Sequence, residues 1–181
     1  IAVALAVQPT LSNFFAGTYV LTEGALKEGD FIEIEGGIAG YVSSVGWRST
    51  KIRDRFNNLV LIPNSKMAES VVTNFYSPET AINILITSGV AYEENLENVE
   101  VIVKDTLQQL LSVSENVANN SQPRFGFEEF GDSNINFWIF MQAKDWAASF
   151  QLKSEIIKAV HSSFAQKGIT INYPTRRIIK D

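Results

Sequence analysis

No charged side chain occurs before Glu23, and this constrains the 181-residue chain more than any other feature. Residues 1–7 (IAVALAV) are wholly apolar. They lack the basic start and the small-residue cleavage site of a secretory signal. They are also too few to cross a bilayer, which takes about 20 residues. Two readings stay open: a buried helix of a soluble core, and the end of a membrane span. A chain that opens on Ile within an apolar run reads as a fragment whose upstream part is absent. Pro9 removes a backbone donor and crowds the preceding turn, which predicts a kink or break near Gln8 and Pro9. Thr10 or Ser12 then caps a second helix. Leu11, Phe14, Phe15, Thr18 and Leu21 recur at helical spacing on one largely apolar face, with Ser12, Asn13 and Ala16 on a small, polar face. Such a helix suits a membrane surface or the underside of a partner subunit, and Gly24 ends it.

The rest of the chain alternates as globular domains do. Residues 31–35 alternate apolar and acidic in a half-buried strand, and Gly36-Gly37 forms a hairpin turn. Residues 41–45 and 47–53 read as two further strands. Asn57-Asn58 marks another turn, and residues 59–62 form a short buried strand ended by Pro63-Asn64. A last strand covers 71–75. Short strands at this spacing predict a small barrel or sandwich of roughly 50 residues. Beyond Pro78, Ile82, Ile84 and Ile86 alternate in a strand. Asn95 caps a helix to about residue 112, with Leu96, Val99, Val103, Leu107 and Leu110 on one face. Strands follow at 124–130 and 134–143. A helix over 146–166 carries Phe150, Ile157, Val160 and Phe164 inward and is capped by Gly168. Residues 169–173 close the chain as a final strand. The order β-α-β-β-α-β predicts a ferredoxin-like split βαβ domain, a fold that hosts many functions.

Composition narrows function. A net charge of −5 argues against nucleic acid as a partner, because phosphate neutralisation needs clustered positive charge. With no Cys and one His, the usual zinc sites are excluded. His161 has no nucleophile elbow to serve, and Gly36, Gly37 and Gly40 lack the spacing of a phosphate loop. No cofactor and no enzymatic activity are expected. Glu93, Glu94, Glu97 and Glu100 gather at a helix start, where the helix dipole favours them; a divalent-ion site is the other reading. Asn119-Asn120-Ser121 matches a glycosylation sequon, which arises readily by chance. Arg48, Lys51, Arg53 and Arg55 form either a solvated face or a contact for lipid headgroups or charged solutes.

From Gln8 onward, Gln-Pro-Thr-Leu-Ser-Asn-Phe-Phe-Ala-Gly resembles the kinked pore helix of the small-conductance mechanosensitive channel family. The likeness continues through residues 26–32 (LKEGDFI), 37–42 (GIAGYV), Thr50, Ile52 and Arg53, then 61–65 (LIPNS), Asn74-Phe75, 89–92 (GVAY), 130–133 (FGDS) and Tyr173-Pro174. It covers essentially the whole chain in order, with Pro-Asn-Ser about 23 residues after Gly40 as its most specific piece. The resemblance implies an α+β channel fragment. Residues 1–26 would end the pore-lining membrane helix, with its kink at Gln8 and Pro9. Residues 27–77 would form an Sm-like β barrel, 78–175 the ferredoxin-like domain, and 176–181 the start of a C-terminal segment. It further implies a homoheptamer in the inner membrane, contacting membrane lipids, multi-pass and with residues from about 27 onward in the cytoplasm. Membrane tension would open it to ions and small osmolytes during hypo-osmotic shock. The family's two pore-narrowing apolar positions fall on Ile1 and Leu5, and Ala2, Ala4 and Ala6 are small enough for close helix packing. The family often has Gly at the kink, where this chain has Pro9. A soluble oligomeric ligand-binding module is the alternative reading.

Overall fold

The computed structural model describes residues 2–24 and 26–174, and in its first helix the side chains from Val7 to Thr18. That helix, α1 (Ala2–Glu23), runs through Pro9 as one element. The expected break is therefore not found, and neither Thr10 nor Ser12 starts a new helix. Two side chains bond back to carbonyls one turn earlier, Asn13 Nδ2 to Pro9 O at 2.8 Å and Thr18 Oγ1 to Phe14 O at 2.9 Å. Gly24, at φ +62°, ends the helix in a left-handed conformation, which glycine adopts without the Cβ clash.

Two compact units divide the chain at Thr80. In the first, β1 (Phe31–Ile34), β2 (Ile38–Val45), β3 (Ser49–Arg53), β4 (Leu59–Pro63) and β5 (Val72–Asn74) form an antiparallel sheet in the order β4-β3-β2-β1-β5. Gly36 and Gly37, at φ +98° and +83°, make the β1–β2 turn, a conformation that side-chain-bearing residues resist. Ile32, Ile34, Val42, Ile52 and Ile62 point inward with Leu26 and Met67 as the core. At about 1.5–3 kcal/mol for each fully buried aliphatic side chain, this small core dominates the unit's stability. Strand β4 is not buried as expected. It lies at the sheet edge, with Leu59 58% and Leu61 59% exposed and only Ile62 fully inside. Pro63, which cannot donate to a ladder, sits on this edge, where strands tolerate it. A short helix, α2 (Asn64–Glu69), follows directly.

The second unit holds β6 (Ile82–Val90), α3 (Leu96–Val113), β7 (Arg124–Phe130), β8 (Ile135–Ala143) and α4 (Trp146–Lys167). Asn95 Oδ1 accepts from Asn98 N at 3.0 Å and caps α3; Asp145 Oδ1 accepts from Ala148 N at 2.7 Å and caps α4. Alternation along β8 buries Ile135 and turns Phe137, Ile139, Met141 and Ala143 into the core. They meet Val99, Val103 and Leu107 of α3 and Leu152, Ile156 and Phe164 of α4. The inward row of α4 is Ala148, Leu152, Ile156, Val160 and Phe164, at i+4 steps. Phe150 (57% exposed) and Ile157 (50%) lie off that row, which corrects the face expected for this helix.

The sheet order β6-β8-β7 is that of a split βαβ unit. Residues 169–173 do not add the final strand. Ala91 N donates to Thr170 O at 3.0 Å, but Thr170 N donates to the Glu94 carboxylate at 2.7 Å and Asn172 N to Asn134 Oδ1 at 3.3 Å. Side chains take the Thr170 and Asn172 donors and the Phe164 carbonyl takes that of Ile169, so no ladder propagates.

Candidate functional site

The feature that sets the first unit apart is the seat of α1 on the β domain. A helix with no charge before its last residue, Glu23, needs another surface to rest on, and α1 uses its small face, not its apolar one. Asn13 and Ala16 are half-buried and Gly17 is buried, whereas Leu11, Phe14 and Phe15 are exposed at 49%, 47% and 64%. The first turn of a helix has backbone N–H groups without intrahelical acceptors. α2 has no side-chain cap of its own. Asn13 supplies one from α1: its Oδ1 accepts from Ser65 N at 3.0 Å.

One turn further on, Gly17 lies against Asn64 and the β2–β3 turn. A Cβ at Gly17 would clash with Asn64 Nδ2 and stand 3.0 Å from the Trp47 carbonyl oxygen. Any larger residue would lift the helix from its seat. Asn64 itself is fully buried, and all its polar capacity is directed. Its Oδ1 accepts from the buried Thr50 hydroxyl at 3.0 Å, its Nδ2 donates to Gly46 O at 2.8 Å, and its backbone N donates to Arg48 O at 3.0 Å. A buried amide satisfied on both ends holds one orientation. The Pro63-Asn64-Ser65 segment thus locks the β2–β3 turn, begins α2 and forms the platform for α1.

The sequence-derived site residues fall outside this seat. Gln8 and Pro9 lie exposed within α1. Ile1, and the side chains of Ala2, Ala4, Leu5 and Ala6, lie outside the described residues, as does the segment 176–181. The seat residues Thr50 and Asn64 appear in the sequence only as parts of a motif, since nothing local shows that an Asn after Pro will be buried. Arg48, Lys51, Arg53 and Arg55 are all exposed. Beside them, Asp54 accepts from Phe56 N, Asn58 N and Asn58 Nδ2 at 2.8–2.9 Å. The Asn58 donors hold its carboxyl below the usual range.

In the second unit, His161 stands exposed at the rim of a groove of about 230 Å³ lined mainly by Ile86, Ile139, Ile156, Ile157 and Val160. Among the acidic residues at the start of α3, Glu94 is used by Thr170 N and Glu100 pairs with Lys104 at 2.5 Å. Among the described residues, no group of three or more His, Asp or Glu side chains converges on a metal position. No helix among them is long and apolar enough to cross a membrane.

A helix with no charge before Glu23 docks on a five-stranded β domain, and a split βαβ domain follows in the chain. Residues 9–77 match the mechanosensitive ion channel β-domain, and residues 84–171 match the C-terminal domain of the mechanosensitive ion channel MscS. The chain belongs to the MscS family of mechanosensitive ion channels. It is 30% identical over 181 residues to an uncharacterized MscS family protein of Synechocystis, covering 98% of this chain and 58% of that one. It is 31% identical over 180 residues to the large-conductance mechanosensitive channel MscMJLR of Methanocaldococcus jannaschii, covering 97% and 49%. The chain therefore spans about half to three-fifths of these curated relatives. Its fold superposes on Helicobacter pylori MscS in the closed state with a TM-score of 0.83 at 29% identity, covering 100% of this chain and 69% of that structure.

Proposed function

We propose that the chain supplies the gate end and the cytoplasmic body of a homoheptameric, tension-opened ion channel of the inner membrane, and that it is not an enzyme. The observation that carries this reading is the seat of a helix without charge before Glu23, through Asn13 and Gly17, on a wired β domain. The i, i+4 spacing of Ile1 and Leu5 in the sequence would stack them one turn apart on one helix face. In a ring of such helices they make two stacked apolar collars. An ion cannot shed its hydration where nothing replaces it, so the collars block conduction by dewetting. Ala2, Ala4 and Ala6 allow the helices close approach. A wider arrangement occupies more membrane area, and tension shifts the population towards it. The seat keeps the lower half of α1 fixed while Pro9 concentrates bending above it.

Survival of channel-deleted cells after hypo-osmotic downshock tests the proposal: the intact protein is expected to rescue them, and cell loss equal to that of an empty control refutes it. Leu5→Ser is expected to lower the opening tension, because a hydroxyl offers water a partner at the collar; an unchanged threshold removes Leu5 from the gate. Pro9→Gly is expected to change the rate of closure or desensitisation, since glycine leaves the bend free. Identical kinetics in tension steps would show that Pro9 does not limit the transition.

A further inference from the structure

We propose that the turn Gly46-Trp47-Arg48 is a bilayer anchor that holds the β domain to anionic phospholipids; this rests on the channel reading, which brings α1 to the membrane. The first observation is geometric. The turn closes through Gly46 N donating to Ser49 O at 3.0 Å, and Asn64 pins the Gly46 and Arg48 carbonyls at 2.8 and 3.0 Å. Its Trp47 carbonyl lies against Gly17 of α1. A turn so constrained holds its side chains in fixed directions, yet Trp47 is 60% exposed and Arg48 is exposed beside it. The wiring therefore presents an exposed indole and guanidinium beside the face of α1 that carries Gly17.

The second observation is charge. Residues 23–47 carry five acids (Glu23, Glu28, Asp30, Glu33, Glu35) and one base, Lys27; residues 48–66 carry five bases (Arg48, Lys51, Arg53, Arg55, Lys66) and one acid, Asp54. Of these bases, Arg48 lies in the turn, Lys51 three residues along β3 and Lys66 in α2, which Asn13 of α1 caps, whereas Arg53 and Arg55 lie at the far end of β3. Tryptophan, with an apolar ring and one N–H donor, suits the headgroup boundary. Arginine lays its stem along apolar surface and gives its fork to phosphate. With Lys51 and Lys66, which are exposed and carry the same charge, Arg48 fits an anionic bilayer surface.

The test uses the intact protein in vesicles of phosphatidylcholine and phosphatidylglycerol, with bromine placed on the acyl chains either near the headgroup or deep. The emission of the native protein minus that of Trp47→Phe isolates Trp47. The expected result is quenching of this difference signal, stronger for shallow bromine. Its preference for brominated phosphatidylglycerol should fall up to about fivefold in Arg48→Gln, the worth of one basic residue at an anionic surface. A Trp47 signal unaffected by either bromine position overturns the anchor: the indole then faces water or a second copy. Quenching with an unchanged lipid preference in Arg48→Gln overturns the role given to Arg48. Tension ramps on the same vesicles separate the two claims. Current with an unquenched Trp47 refutes the anchor alone, and quenching without current refutes the channel reading alone.

Discussion

Asn64→Ala is expected to destabilise the first unit by about 2–4 kcal/mol, because it strands a buried hydroxyl and a backbone carbonyl at once. The substitution leaves Thr50 Oγ1 without its acceptor and Gly46 O without its donor, inside a core where both Thr50 and Asn64 are fully enclosed. It also removes the platform beneath Gly17. Hydrogen exchange reports the two units separately, since each opens with its own free energy. Protection should fall for the amides of Val42 and Ile52 and stay constant for those of Ile139 and Met141. Equal loss in both units would show that Asn64 is not a local hub. Thr50→Val should cost less, and the double variant should cost clearly less than the sum of the singles, because the two side chains share one hydrogen bond. Strict additivity would dissolve the proposed network.

Phe137→Ala is expected to cost the second unit about 3–5 kcal/mol, the range for removing a buried aromatic ring. Phe137 is fully buried in the first half of β8. Its ring lies 5.4 Å from that of Phe125 and 6.1 Å from that of Phe164, so it joins the sheet to α4. Neither neighbour fills the cavity without leaving its own contacts. The same exchange experiment should show the loss in β6 and β8 and leave β2 and β3 unchanged; protection lost in β2 instead would contradict the division into two separately stable units.

Local signals made much of this architecture legible. Gly36-Gly37 announced the first hairpin, Asn95 the start of α3 and Gly168 the end of α4, because each of these is a backbone requirement met by a single residue type. The failures have a shared cause. α2 was hidden because the acceptor that satisfies its Ser65 N–H comes from Asn13, 52 positions away. β4 reads as buried because Leu59, Val60, Leu61 and Ile62 are all apolar, yet an edge strand turns only alternate residues inward. Phe150 and Ile157 fit a helical period as well as Leu152 and Ile156 do, and only packing against β8 chooses between the two stripes. The strand expected at 169–173 fails where Glu94 and Asn134 capture its donors. The seat of α1 was the least legible element: its partners are a glycine and an asparagine that look unremarkable in sequence and acquire meaning only when Gly17 lies on Asn64.

Lateral tension in the bilayer is expected to open a pore in the intact protein. Excised patches from reconstituted vesicles, stretched by graded suction, measure this directly. The expected result is a stepwise current that appears above a threshold tension, is absent from protein-free patches, and begins at lower tension in Leu5→Ser. Patches that stay silent up to rupture, with the protein shown to be present in the membrane, would contradict it.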